Sequence, residues 1–155
     1  MKRITVDTAQ CSGCRYCEMV CSYRHEGKFS PTLSRVSVIR DDRFGMDYPV
    51  LCRQCQPCHA IDGCPSGAIA QSGDGTVRVD YEACTGCGVC VGACPYDAIK
   101  LDGSSKALIC DHCGGDPTCV RKCPTKALIY GESEFVSEHP EEVFQDLRRR
   151  WGIGV

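Results

Sequence analysis

Residues 84–101 read CTGCGVCVGACPYDAIKL. Cys84, Cys87, Cys90 and Cys94 are separated by two, two and three residues, and Pro95 follows the last. Variants of this run occur at Cys11, Cys14, Cys17 and Cys21, at Cys52, Cys55, Cys58 and Cys64, and at Cys110, Cys113, Cys119 and Cys123. An internal repeat of this kind decides the fold before any propensity does, because each unit is built around its thiols. Cysteine makes up 16 of the 155 residues, a level that points to a disulfide scaffold or a metal framework. One Trp and four Phe anchor no large apolar core, so inorganic material is expected to form part of it.

Three thiols two residues apart lie on a tight loop that can wrap one [4Fe–4S] cube. The fourth, three residues on, sits where the chain leaves the loop and faces away. In two-cluster ferredoxins the C-x2-C-x2-C-x3-C-P run works this way, its last cysteine serving the other cluster. The proline keeps the backbone from continuing the loop and removes an N–H that would need a partner. Zinc ribbons also use C-x2-C pairs, but without a third thiol at the same spacing. Disulfides belong to an oxidising compartment.

The opening MKRITVDTAQC has basic residues but no apolar run behind them, and no secretory signal is expected. No eighteen consecutive residues are apolar, so no membrane-spanning helix is expected. Both features favour the cytoplasm, where thiols stay reduced. The formal charge of −2 suggests binding neither to nucleic acid nor to a membrane surface. Each oxidised cube with four thiolates adds two negative charges, so four of them would take the chain to about −10. Such charge is tolerable only beside N–H groups and cations. Gly13, Gly86, Gly88 and Gly114 lie in the loops, where bare backbone can approach a cube, and Arg15, Arg53, Arg121 and Lys122 flank cysteines. His25, His59, His112 and His139 are scattered, and His59 and His112 read as ordinary loop residues. No nucleophile–base pair, phosphate loop or nucleotide fingerprint is present, so no catalytic residue is assigned. With hairpins this short and cubes for cores, the iron-free chain is expected to be disordered.

Between the runs the chain is β-prone. ITVD and VRVDY precede the first and third runs, and AIA, AIKL and ALIY follow the second, third and fourth. Turn signals at 72–75 (SGDG) and 102–105 (DGSS) predict two-stranded hairpins. A helical turn or two is expected after each final cysteine. Residues 22–51 form an insertion in which SRVSVIR alternates like a strand, with MDYPV as its partner. In the tail, HPEEVFQDLRRRW, Pro140 stands at a first helical position, Glu141 and Glu142 in the first turn, and Arg148 to Arg150 in the last. Val143, Phe144, Leu147 and Trp151 share one face, predicting a helix that caps the body or docks to a partner.

The third run and its flanks resemble half of a bacterial ferredoxin. Residues 3–130 as a whole resemble the four-cluster electron-transfer subunits of molybdenum and tungsten oxidoreductases, the dimethyl sulfoxide reductase iron–sulfur subunit family. The resemblance implies an α+β fold of two nested ferredoxin-like units: an outer one (1–21 with 103–130) joining the first and fourth runs, and an inner one (52–102) joining the second and third. The insertion (22–51) and a helical tail (131–155) complete the chain. It also implies four [4Fe–4S] clusters: Cys11, Cys14, Cys17 and Cys123; Cys110, Cys113, Cys119 and Cys21; Cys84, Cys87, Cys90 and Cys64; Cys52, Cys55, Cys58 and Cys94. All sixteen cysteines are used. Two departures stand out. Ser22 occupies the proline position of the first run, and the family spacing would put a ligand at Ala60, where this sequence instead offers Cys58. Cys58 is retained as the ligand, with a three-iron cluster as the alternative.

The implied role is a non-catalytic electron-transfer subunit. The stretch CRYCEMVCSYRHEGKFSPTLSRVSVIRDD followed by DYPVLCRQC looks most like the small subunit of tungsten-dependent aldehyde oxidoreductases, implying a tungstopterin catalytic partner. A flavin or ferredoxin partner would lie at the far end, and self-stacking is a further arrangement. The alternatives are the same role for a formate dehydrogenase, hydrogenase or carbon monoxide dehydrogenase, or a free polyferredoxin carrier.

Overall fold

Short strands and short helices alternate along the chain, as thin apolar segments between thiol loops require. The computed structural model describes residues 1–42, 46–133, 145 and 148–152. Strand β1 (Lys2–Val6) pairs antiparallel with β8 (Leu128–Glu132), placing Ile4 opposite Tyr130. Asp7 extends the ladder by donating its N–H to the Ala127 carbonyl at 2.8 Å. The first and fourth runs are thereby tied together at their outer ends.

The other three sheets are local hairpins. β2 (Val36–Asp41) pairs with β3 (Met46–Leu51), so the strand and its partner in the insertion are as expected. β4 (Ile69–Gln71) pairs with β5 (Val77–Val79), and β6 (Lys100–Leu101) with β7 (Ala107–Leu108). Both turn signals act through an aspartate. Asp74 Oδ1 accepts the Thr76 N–H at 2.9 Å, and Asp102 Oδ1 accepts those of Ser104 and Lys106 at 2.7 and 2.9 Å. Local side-chain bonds of this type close a turn without a ladder.

The helices correct one expectation. α2 (His59–Asp62), α3 (Val89–Ala93) and α4 (Thr118–Arg121) lie before the fourth cysteine of their runs, not after it. Pro65, Pro95 and Pro124 follow those cysteines, and a proline cannot extend a helix beyond its first turn. α1 (Tyr16–Glu26) is the exception, at eleven residues. Ser22 keeps the N–H a proline lacks, so α1 runs through Cys21 and stops only at Gly27, whose φ of 65° closes it at no steric penalty.

α1 packs on α4, and α2 on α3. One apolar core runs through the molecule, in which Ile4, Val36, Ile69, Val77, Ile109 and Leu128 share a cluster with cysteines from all four runs. The fold is α+β. In the tail, residues 145 and 148–151 are helical and Trp151 is half exposed; Pro140, Glu141, Glu142, Val143, Phe144 and Leu147 lie outside the described residues. No described helix is long and apolar enough to cross a membrane.

Candidate metal centres

None of the sixteen thiols is in a disulfide, and thiols from different runs meet. Cys64 lines one cavity with Cys84, Cys87 and Cys90. Burial raises the pKa of Cys90, and the charges of Cys84, Cys87 and Cys64 add to the rise. Burial pushes Cys52 up to about 12, with Cys58, Cys55 and Cys94 contributing. Cys58 therefore stands among the thiols of its own run and Cys94, while Ala60 is buried in the core. Cys11, raised first by burial, is influenced also by Cys14 and Cys123. Burial takes Cys119 to about 12, and the next contributions come from Cys21 and Cys113.

The fourth cysteine of two runs has a common cradle. At Cys64, burial pushes the pKa up, but the Ser66 hydroxyl and the N–H groups of Ile69, Ser66 and Ala68 outweigh it, and the net shift is down. At Cys123, burial is outweighed in the same way by the N–H of Leu128, the Thr125 hydroxyl and the N–H groups of Ala127 and Thr125. The offsets from the cysteine are two, four and five residues in both cases. A fan of N–H groups favours the thiolate, and the Cys-Pro turn builds it.

Two of the four loop glycines, Gly13 and Gly86, are dictated by close approach, whereas a Cβ at Gly114 would meet nothing within 4 Å. Gly86 has φ 74°, and a Cβ there would lie 2.7 Å from the Ser105 carbonyl oxygen. At Gly13 (φ 64°) a Cβ would run into the Asp47 carboxylate.

The flanking cations are arranged otherwise than the sequence suggested. Arg15 is exposed and bonds Glu18 at 2.9 Å, and Arg121 is exposed and bonds Asp116 at 2.8 Å. Arg53 stacks over the Tyr96 ring at 4.4 Å, and its charge works downward on Cys55, which burial nonetheless raises. The buried cation is Arg35, in the insertion. Its backbone N–H donates to Cys21 Sγ at 3.3 Å, while its Nη2 donates to the Tyr81 hydroxyl at 2.7 Å and to Glu26 Oε1 at 3.5 Å. Its Nη1 is buried without a hydrogen-bond partner.

His25, from the extended end of α1, brings Nε2 to 3.6 Å from Cys113 Sγ. His112 is not an ordinary loop residue: it is buried against Tyr130, with Nε2 unpartnered. Sequence reasoning passed over Arg35, His25 and the wholly buried Gln54. One of these carries a signal: His25 lies four residues after Cys21, hence on the same helix face, once Ser22 is seen to let the helix continue.

The donor set fits iron–sulfur clusters. It is all thiol, and thiols from separate runs lie close enough to act on one another. Residues 77–100 match the 4Fe–4S binding domain family. The chain is 40% identical over 123 residues to the polyferredoxin-like subunit of the aliphatic sulfonate oxidoreductase of Pyrococcus furiosus, covering 77% of this chain and 70% of that one. It is 32% identical to the electron transport protein HydN of Escherichia coli, over 97% of both chains. This chain belongs to the polyferredoxin-like electron-transport family. Among solved structures, this polyferredoxin-like fold is similar to a chain of the active site complex BamBC of benzoyl coenzyme A reductase, with a TM-score of 0.53 and 25% identity over 97% of this chain and 91% of that one.

Proposed function

We propose that this chain is the electron-transfer subunit of an oxidoreductase complex, with four [4Fe–4S] clusters in two nested ferredoxin-like units. Cys11, Cys14, Cys17 and Cys123 hold the first, and Cys110, Cys113, Cys119 and Cys21 the second. Cys52, Cys55, Cys58 and Cys94 hold the third, and Cys84, Cys87, Cys90 and Cys64 the fourth. The observation that carries this reading is that Cys64 lines one cavity with Cys84, Cys87 and Cys90 of another run. The β1–β8 ladder and the α1–α4 contact support an outer unit of residues 1–21 with 103–130. The α2–α3 contact supports an inner unit of 52–102.

When bound, the clusters supply one-electron redox sites held at thiolate sulfur. The chain's own part is to line up the ligand groups. Cys17 acts on Cys119, and Cys52 on Cys110, so the first group borders the second and the second borders the third. The exposed thiols Cys14 and Cys87 belong to the first and last groups, which makes these the ends where partners exchange electrons. In between, buried Cys110, Cys119 and Cys52 exclude water. The subunit is non-catalytic by itself and works in the cytoplasm, as an electron-transport role beside a catalytic partner would have it.

The partner is a catalytic oxidoreductase subunit, of tungstopterin type on the aldehyde oxidoreductase resemblance. That one relative is named a subunit of an aliphatic sulfonate oxidoreductase, and a structural neighbour part of a reductase active site complex, supports a fixed partner over a free carrier. Metal analysis of the complex isolated anaerobically from its native source tests this. Tungsten in a co-purifying subunit is expected. Molybdenum or nickel would move the role to formate, hydrogen or carbon monoxide chemistry, and recovery of the chain alone would favour the carrier.

A further inference from the structure

The replacement of proline by Ser22 has a chemical consequence. α1 continues past Cys21 and carries His25 toward the fourth run. There, Nε2 lies 3.6 Å from Cys113 Sγ and 3.5 Å from Asp111 Oδ1. The carboxylate is itself fixed, accepting the Cys113 N–H at 2.9 Å. The imidazole is nearly buried, at 12% exposure, so water does not compete for it. A carboxylate and a ligating thiolate are both acceptors, so the nitrogen between them must carry the proton. These three side chains could also surround a lone metal ion, their ligand atoms lying within 4.8 Å of one another. The ligand assignment above gives Cys113 to a cluster instead.

We propose that His25 is a positioning residue for the Cys21, Cys110, Cys113 and Cys119 centre, donating Nε2–H to the Cys113 sulfur and holding that centre's reduction potential above what its thiolates alone would give. The inference rests on the ligand assignment above. Reduction adds negative charge that spreads onto the sulfurs, and a donor aimed at sulfur stabilises the reduced form more than the oxidised one. The backbone N–H of Arg35 works in the same direction at another ligand, 3.3 Å from Cys21 Sγ. The side-chain partners on the cradled cysteines of other centres are hydroxyls only: Ser66 at 3.6 Å from Cys64, and Thr125 at 3.7 Å from Cys123.

The test uses the full iron-loaded chain with His25→Leu and His25→Gln. Potentials are read by redox titration followed by electron paramagnetic resonance, and wild type labelled with 15N-histidine is examined for nitrogen coupling. His25→Leu is expected to make one centre about tenfold harder to reduce, 59 mV for a one-electron couple, leaving the others in place. His25→Gln, which keeps an N–H at similar reach, is expected to restore most of the shift. The wild-type chain is expected to show a weak coupling to one reduced centre, absent in His25→Leu. Unchanged potentials, an equal shift in all centres, or no coupling in wild type would overturn the proposal. Because coupling is read on wild type, the test survives a His25→Leu variant that fails to fold. An iron count well below sixteen with shift and coupling intact would overturn the four-cluster reading and leave the role of His25 standing. A full count with neither would do the reverse.

Discussion

The side-chain amide of Gln54 donates from Nε2 to the carbonyl oxygen of Cys110 at 2.7 Å and accepts the Val77 N–H on Oε1 at 2.6 Å. One residue of the second run thus ties the fourth run to the strand preceding the third. It has no exposed surface, so water cannot take over either bond. Gln54→Leu keeps the volume but leaves a buried carbonyl and a buried N–H without partners, each costing about 1–3 kcal/mol. Loss of visible absorbance in guanidinium is expected to be at least about tenfold faster in this variant. Equal rates would show that the tie contributes nothing.

Two glycines in the third run separate a geometric requirement from composition. Gly86→Ala demands φ 74° of an L-residue and sets a Cβ against the Ser105 backbone, so the variant is expected to retain less iron after anaerobic reconstitution. Gly92→Ala, inside α3 with open space around it, is expected to load fully and to gain up to about 1 kcal/mol from helix propensity. Equal iron contents in the two variants would contradict the close-approach argument.

The elements that sequence revealed are those governed by local chemistry. Spacing of the thiols marked the four runs, and Asp74 and Asp102 marked hairpins that close on themselves. The β1–β8 ladder was visible only as two strands, because its partners are far apart in sequence and nothing local names the pairing. The partners of the cations were hidden for a related reason. Arg15 and Arg121 adjoin cysteines along the chain, yet carboxylates engage them, while the backbone N–H that reaches Cys21 sulfur belongs to Arg35, fourteen residues on. Gln54 and His25 matter through contacts between runs, which a periodicity does not encode.

Ser22→Pro would restore the residue found after the last cysteine of the other runs. It would also remove the hydrogen bond from the Ser30 N–H to Ser22 Oγ at 3.0 Å and place a ring inside α1, at about 3 kcal/mol. Faster amide exchange over residues 23–27 is expected, with the other helices unchanged. Unaltered protection there would mean that something other than Ser22 sustains the last turn.

Iron retention should depend on pH with a definite sign. Burial holds Cys17, Cys52 and Cys119 up at about 12, above the ordinary thiol value, so the fold favours their neutral form until metal binds. Ligation must displace their protons, and protons compete with iron more strongly as pH falls. Transfer of iron to a chelator, followed by visible absorbance, is expected to accelerate from pH 8 to pH 6. A flat profile would argue against thiolate ligation at these positions.

Sixteen cysteines holding four cubes make a stoichiometry that can be counted. Iron and acid-labile sulfide should be counted per chain in protein reconstituted anaerobically, with Mössbauer spectra of the same sample. About sixteen irons and sixteen sulfides in a single [4Fe–4S] signature are predicted. About fifteen irons with a three-iron component would relocate the discrepancy to the Cys52–Cys64 run. Eight or fewer irons, or zinc in their place, would contradict the account.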